Sequence, residues 1–325
     1  MDVAPFVARR PGASSRRQPH PEFGPLAEYL ADPAVTDVFV NGAHAVWVDR
    51  GGGLERQPAA QLDEAGVREL AVRLVALGGR HIDEATPCVD ARLRDGIRVH
   101  AVLPPISPRG TLLSIRVPRT TPLTMAGLAA AGFFDEVPVA PVVALVASRA
   151  NLLVTGAGGS GKTTLLSALL SEAEPAERIV AIEDVAELRV EHPHFVSLQA
   201  RQPNLEGAGG VGHTRLLREA LRMRPDRLVL GECRGEEVRD LLAALNTGHD
   251  GGAGTLHANS LADVPARLEA LGALAGLGPS AVARQAVSAI GAVLHLERRG
   301  GMRRLAQLGS LELDSRDRLV VRAAA

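Results

Sequence analysis

The chain has 325 residues, of which 46% are apolar and only 2% aromatic, and it carries a formal charge of −1. That apolar content suffices for one or two buried cores built from Val, Leu, Ile and Ala, which suits helix-covered parallel sheets better than aromatic-rich sandwiches. The balanced charge excludes bulk electrostatics as an argument for nucleic acid or anionic lipid.

Residues 1–20 are rich in Arg, Pro and Ser without apolar periodicity, and are expected to form a mobile basic tail. The apolar stretch 3–8 is short and its arginines follow it, unlike a signal peptide. Residues 21–118 describe a small α+β module. Strand 38–40, the hairpin turn Asn41-Gly42, strand 45–48 and a second turn at 49–53 come first. His44 and Trp47 on this meander read as edge and core residues. Val67, Leu70, Ala71, Leu74 and Leu77 predict a helix that starts at Asp63-Glu64 and stops at Gly78-Gly79. Further strands fit residues 97–103 and 112–117.

A linker is expected over 119–138, opening on a Pro/Thr-rich stretch, before a second domain at 139–325. The apolar run 137–147 is broken by Pro138 and Pro141, and falls short of the roughly 20 residues a spanning helix needs. Strand candidates at 152–155, 178–183, 228–232 and 253–257 alternate with helices near 162–170, 214–222 and 236–245. That alternation predicts a parallel, helix-covered α/β sheet. Cys88 and Cys233 supply neither a disulfide framework nor a four-ligand zinc site, and the features together point to the cytosol.

Four segments carry chemistry. Gly156-Ala157-Gly158-Gly159-Ser160-Gly161-Lys162-Thr163-Thr164 fits the P-loop (Walker A) pattern between a strand and a helix. Its glycines let the backbone wrap against phosphate, and successive N–H groups with the helix N-terminus make an anion nest. Lys162 should reach the β- and γ-phosphates of ATP, and Thr163 should ligate Mg2+. Lys162 is also the only lysine among 36 cationic residues. Arginine would not replace it, since a compact ammonium fits between phosphate oxygens where a planar fork does not.

The second segment, residues 227–236, is an apolar strand ending in Glu232, the expected general base and, through water, a Mg2+ partner (Walker B). The third, residues 182–187, puts Glu183 at the end of another strand, either converging on the same edge or forming a solvated acidic turn. The fourth, residues 246–259, is a Gly-rich turn and strand carrying His249 and His257, consistent with a loop that senses phosphate. Zinc is the rival there, but no Cys and no ligand spacing support it.

Together these motifs resemble the secretion-ATPase superfamily of type II and type IV secretion and type IV pili, and within it the TadA/CpaF-like branch. The resemblance spans about residues 35–300. It rests on the segments 35–42, 90–99, 114–116 and 220–227 and on the His box at 247–259. It implies an α/β, RecA-like P-loop motor domain preceded by a smaller α+β (PAS-like, meander) domain, in a hexameric ring. It further implies nucleotide between the two domains, with Arg92, Arg98 and Arg116 approaching its phosphates. Glu183 and Glu187 fall in the family's acidic box, and His249 and His257 in its His box. ATP, Mg2+, an inner-membrane platform protein and docking at the inner face of the cytoplasmic membrane follow from the same likeness. Two departures stand out: Gly254 occupies a position where a hydroxyl residue is common, which should loosen the His-box loop, and Cys233 replaces a small aliphatic residue. A nucleic-acid translocase of a conjugation system and a non-catalytic nucleotide-dependent scaffold remain open beside the motor.

Overall fold

The computed structural model describes residues 20–43, 45–57, 62–118, 123–201 and 208–324. The tail 1–19, His44 and linker residues 119–122 lie outside them. Two compact units divide the chain, residues 1–121 and 122–325.

The first unit holds α1 (Ala27–Ala31), β1 (Asp37–Asn41), β2 (Val46–Asp49), β3 (Leu54–Gln57), α2 (Glu64–Leu77), β4 (Cys88–Arg92), β5 (Arg98–Val102) and β6 (Leu112–Arg116). Its sheet is antiparallel throughout, in the order β3-β2-β1-β6-β5-β4. Asp63 caps α2 by accepting the Gly66 N–H at 2.8 Å, satisfying a donor that the first helical turn leaves open. Val67, Leu70, Ala71 and Leu74 then recur on one face of α2 and share a core with Val38, Val40, Val99, Ala101, Leu113 and Ile115. Alternation along β1, β5 and β6 therefore turns the residues between them outward.

The second unit begins earlier than residue 139. Helix α3 (Met125–Ala130) lies within the stretch expected as linker, and Met125 and Leu128 are buried with Phe133, Phe134 and Val142. The apolar run 137–147 becomes α4 (Val139–Ala147), with Pro141 accommodated in its first turn. The chain continues through β7 (Leu152–Gly156), α5 (Lys162–Ser171), β8 (Ile179–Glu183), β9 (Phe195–Gln199), α6 (His213–Leu221), β10 (Arg227–Cys233), α7 (Glu237–Leu245) and β11 (Ala253–His257). It closes with α8 (Val264–Leu274), α9 (Pro279–Ala289), β12 (Ala292–Arg299), β13 (Met302–Leu313) and β14 (Leu319–Ala323).

These eight strands form one sheet, β14-β13-β12-β7-β11-β10-β8-β9. The six from β12 to β9 are parallel, and β13 and β14 add an antiparallel edge. Helices cover both faces, which is why β7 and β8 are buried at every position. On one face α5 packs Leu165 and Leu169 with Val154, Ala181 and Val229. On the other, Val238, Leu268 and Val282 from α7, α8 and α9 meet Leu153, Leu228, Leu230 and Val293.

Parallel strands collect their amino ends at one edge, and there an ion network, buried at Glu177 and Arg227, ties four of them. Glu177 accepts Arg227 Nε at 2.6 Å and also pairs with Arg149. Arg227 reaches the Val146 carbonyl at 3.0 Å, and Arg149 reaches the carbonyls of Asp226 at 2.7 Å and Asp250 at 3.1 Å. The network spans the starts of β7, β8, β10 and β11. Removing one partner of a buried pair strands the other charge, so Glu177→Ala should destabilise this unit by about 3–5 kcal/mol. Denaturant unfolding of the variant checks this; a loss below about 1 kcal/mol, the scale of an exposed pair, would contradict it.

Candidate functional site

The opposite, carboxyl edge gathers the polar residues. Strand β7 hands over to α5 through residues 157–161, and the last glycine of β7 with two in this loop take positive φ: Gly156 at 148°, Gly159 at 70° and Gly161 at 100°. A Cβ on Gly156 would sit 2.5 Å from the Leu296 carbonyl oxygen and 2.6 Å from Ser160 Oγ, so only glycine fits. Lys162 folds its ammonium back onto the loop, donating to the carbonyls of Gly156 and Ala157 at 2.9 Å each. Burial holds its pKa below the usual lysine value, with the Glu232 carboxylate opposing that shift. Thr163 and Thr164 follow in the first turn of α5, half-buried. The Ser160 hydroxyl is buried with no hydrogen-bond partner among the described residues.

Glu232 reaches this loop because β10 is irregular. Leu230 pairs with Gly254 and Cys233 with Leu256, so Gly231 and Glu232 together oppose Thr255. This is a β-bulge, one extra residue that shifts the alternation. Cys233 consequently lies with Leu228 and Leu230 among the α7–α9 residues, while Glu232 turns to the α5 face. Its Oε1 lies 3.1 Å from His257 Nε2. A Cβ on Gly158 would be 3.9 Å from His257 Cε1, which sets the imidazole against the P-loop. Burial, and then the charge of Lys162, hold the His257 pKa below its ordinary value, with the Glu232 carboxylate opposing that shift.

Glu183 ends β8 on the same face. It is buried, and its Oε1 accepts the N–H groups of Glu187 at 2.8 Å and Leu188 at 2.9 Å. Burial raises its pKa despite these bonds. It is thus a latch on the acidic loop; Glu187 meets it through its backbone. Asp184 next to it pairs with Arg234 and with His213 Nε2 at 3.3 Å.

His249 does not join the group. It precedes β11, which runs parallel to β7, so it lies at the amino edge, where its Nδ1 pairs with the Ala244 carbonyl oxygen at 3.2 Å. Grouping it with His257 through the shared His box ignores a strand's length between them. Arg303, on β13, carried no sequence signal, yet its Nε donates to the Gly159 carbonyl at 2.8 Å. His295, fully buried, pairs through Nδ1 with Thr155 Oγ1 at 2.9 Å beneath the loop.

In the first unit, Arg92, Arg98 and Arg116 stand in direct cross-strand register on β4, β5 and β6, with Asp37 of β1 next in line.

A family model described as "Type II/IV secretion system protein" matches residues 20–299. The chain belongs to this family. A putative conjugal transfer protein of Mycobacterium tuberculosis is 51% identical over 295 residues, covering 89% of this chain and 84% of the relative. The type IV secretion system protein PtlH of Bordetella pertussis is 36% identical over 258 residues, covering 72% and 76%. The X-ray structure of the Legionella pneumophila ATPase DotB shares the fold, with TM-score 0.58 at 19% identity over 95% of this chain and 82% of that one. The second unit is accordingly a RecA-like α/β domain, preceded by a smaller α+β one.

The two departures noted in the sequence touch each other. A Cβ at Gly254 would lie 3.2 Å from Cys233 Sγ and 3.1 Å from Leu241 Cδ2. The sulfur therefore occupies room that a side chain at 254 needs, and the strand is filled where the sequence suggested loosening. Gly254→Ala should cost about 1–3 kcal/mol through overpacking, and Cys233→Ala in the same chain should relieve part of it. A double-mutant cycle of thermal stability measures the coupling; strict additivity would contradict it.

Proposed function

We propose that this chain hydrolyses ATP and works as the motor of a secretion, pilus-assembly or conjugal-transfer system. The observation that carries the reading is the meeting of Lys162, Glu232 and His257 beside a glycine-built loop. ATP lays its phosphates along residues 156–164, where Gly156, Gly158, Gly159, Ser160 and Gly161 supply the loop backbone and Lys162 trades its loop carbonyls for phosphate oxygens. The Thr163 hydroxyl and the Glu232 carboxylate are hard oxygen donors that suit Mg2+, and the unpartnered Ser160 hydroxyl leaves a further oxygen unsatisfied within the protein. Bound by Thr163 directly and by Glu232 through water, Mg2+ would neutralise charge on the β- and γ-phosphates.

Glu232 aligns a water and takes its proton as the water oxygen bonds to the γ-phosphorus. The bond from that phosphorus to the bridging oxygen breaks, and ADP and phosphate result. His257 braces the carboxylate from 3.1 Å, and Glu183 with the Glu187 backbone holds the neighbouring loop. Arg92, Arg98 and Arg116 we assign, on the family resemblance, to the phosphate charge that develops in transfer. His249 takes no part in the chemical step.

The names of the M. tuberculosis and B. pertussis relatives support a transport setting. We place the chain in the TadA/CpaF-like branch, as a homo-hexamer in the cytoplasm at the inner face of the cytoplasmic membrane, passing force to a membrane platform protein. The conjugal-transfer name favours one second reading, a nucleic-acid translocase. Six Phe, one Tyr and one Trp in the whole chain leave little for base stacking. Hydrolysis stimulated by DNA would favour it.

Glu232→Gln should bind ATP with unchanged affinity and hydrolyse it about 10²–10⁴-fold more slowly, the usual worth of a general base. Single-turnover assays with a nucleotide-binding control check this, and retained turnover would reassign the base. Arg98→Ala should slow hydrolysis by about 10³–10⁵-fold, as for other arginines on a transferring phosphoryl group, with little change in nucleotide affinity or melting temperature. Normal turnover would remove Arg98 from the scheme.

A further inference from the structure

We propose that Thr255 is the positioning residue that keeps Glu232 facing the P-loop, by holding the β10 bulge through its side-chain hydroxyl. This rests on the ATPase reading for its kinetic consequence, though not for its geometry.

Strict alternation along β10 would put residue 232 on the side of Leu228 and Leu230, buried against α7–α9 and away from Lys162. One inserted residue reverses that. Gly231, which makes the insertion, falls outside the register on both sides: pairing with β8 ends at Leu230–Ile182, and pairing with β11 skips from Leu230 to Cys233. A backbone carbonyl displaced from a ladder inside a buried sheet needs another donor. Thr255 Oγ1 supplies it, donating to the Gly231 oxygen at 2.6 Å, and Thr255 is only 2% exposed. The opposite side of the same residue is closed by Glu183, whose Cγ lies 2.8 Å from where a Cβ on Gly231 would stand. Gly231 is therefore clamped between a hydroxyl and a buried carboxylate side chain. Thr255 and His257 share one side of β11, so the strand that anchors the bulge also carries the imidazole meeting Glu232. Loss of the hydroxyl removes the bulge's buried donor, favours the regular ladder, and swings the carboxylate off the reacting face.

Thr255→Val deletes the hydroxyl at nearly constant volume, Thr255→Ala deletes it with less bulk, and Thr255→Ser retains it. In the full-length chain, both hydroxyl-free variants should lose about tenfold to a hundredfold in kcat, the scale of a displaced reacting group. Equilibrium ATP affinity should stay within about twofold, and Thr255→Ser should keep wild-type kcat. High-resolution structures should show Glu232 turned away from His257 in Thr255→Val and beside it, as in the wild type, in Thr255→Ser. Full kcat in Thr255→Val, a Ser variant as impaired as the Val variant, or Glu232 still against His257 in Thr255→Val would each overturn the proposal. Should the wild-type chain not hydrolyse ATP at all, the ATPase reading falls by itself. The structures of the variants then still decide the role of Thr255.

Discussion

The orientation of one carboxylate governs what the second unit can do. Glu232 lies next to the end of a strand whose side chains alternate between two covered faces, and only one of those faces holds the P-loop helix. A single extra residue in β10 directs it there, onto His257 and towards Lys162. Gly231 lacks a side chain because Glu183 presses on it, and Cys233 fills the gap above Gly254 because the bulge has moved it to the opposite face.

The two edges of the parallel sheet are built for different ends. At the amino edge, Arg149, Glu177 and Arg227 satisfy one another and several carbonyls in one network. At the carboxyl edge, polar groups are held against their ordinary tendencies. Burial disfavours charge on Lys162, Glu183 and His257 alike, and three P-loop glycines take conformations that side chains resist. Such concentration of perturbed groups is what separates a site from a scaffold.

Much of this could be read from the sequence, and the failures have particular causes. Helix α2 announced itself through its cap and its apolar spacing, and the strand–loop–helix around Lys162 through its glycines and its lone lysine. The residue type at 232 was legible, but its face was not, since a period of two predicts the wrong side and nothing local marks an extra residue. His249 was misplaced although the parallel direction of β11 already implied its edge; a shared motif outweighed strand geometry. Arg303 reaches Gly159 across 144 positions, a contact that arises only from the β12–β13 hairpin. Strand β12 opens on a short, fully buried apolar run, which periodicity cannot tell from a helix segment. Helix α3 was hidden by the prolines on either side of it.

Lys162, the chain's only lysine, offers the most direct test of the account. Phosphate release from Mg·ATP should be compared between the wild-type chain and Lys162→Arg, which keeps the charge but replaces the compact ammonium with a planar fork. The account predicts steady release by the wild type and almost none by the variant. Equal rates in the two proteins, or no release by the wild type assembled with its own partners, would contradict it.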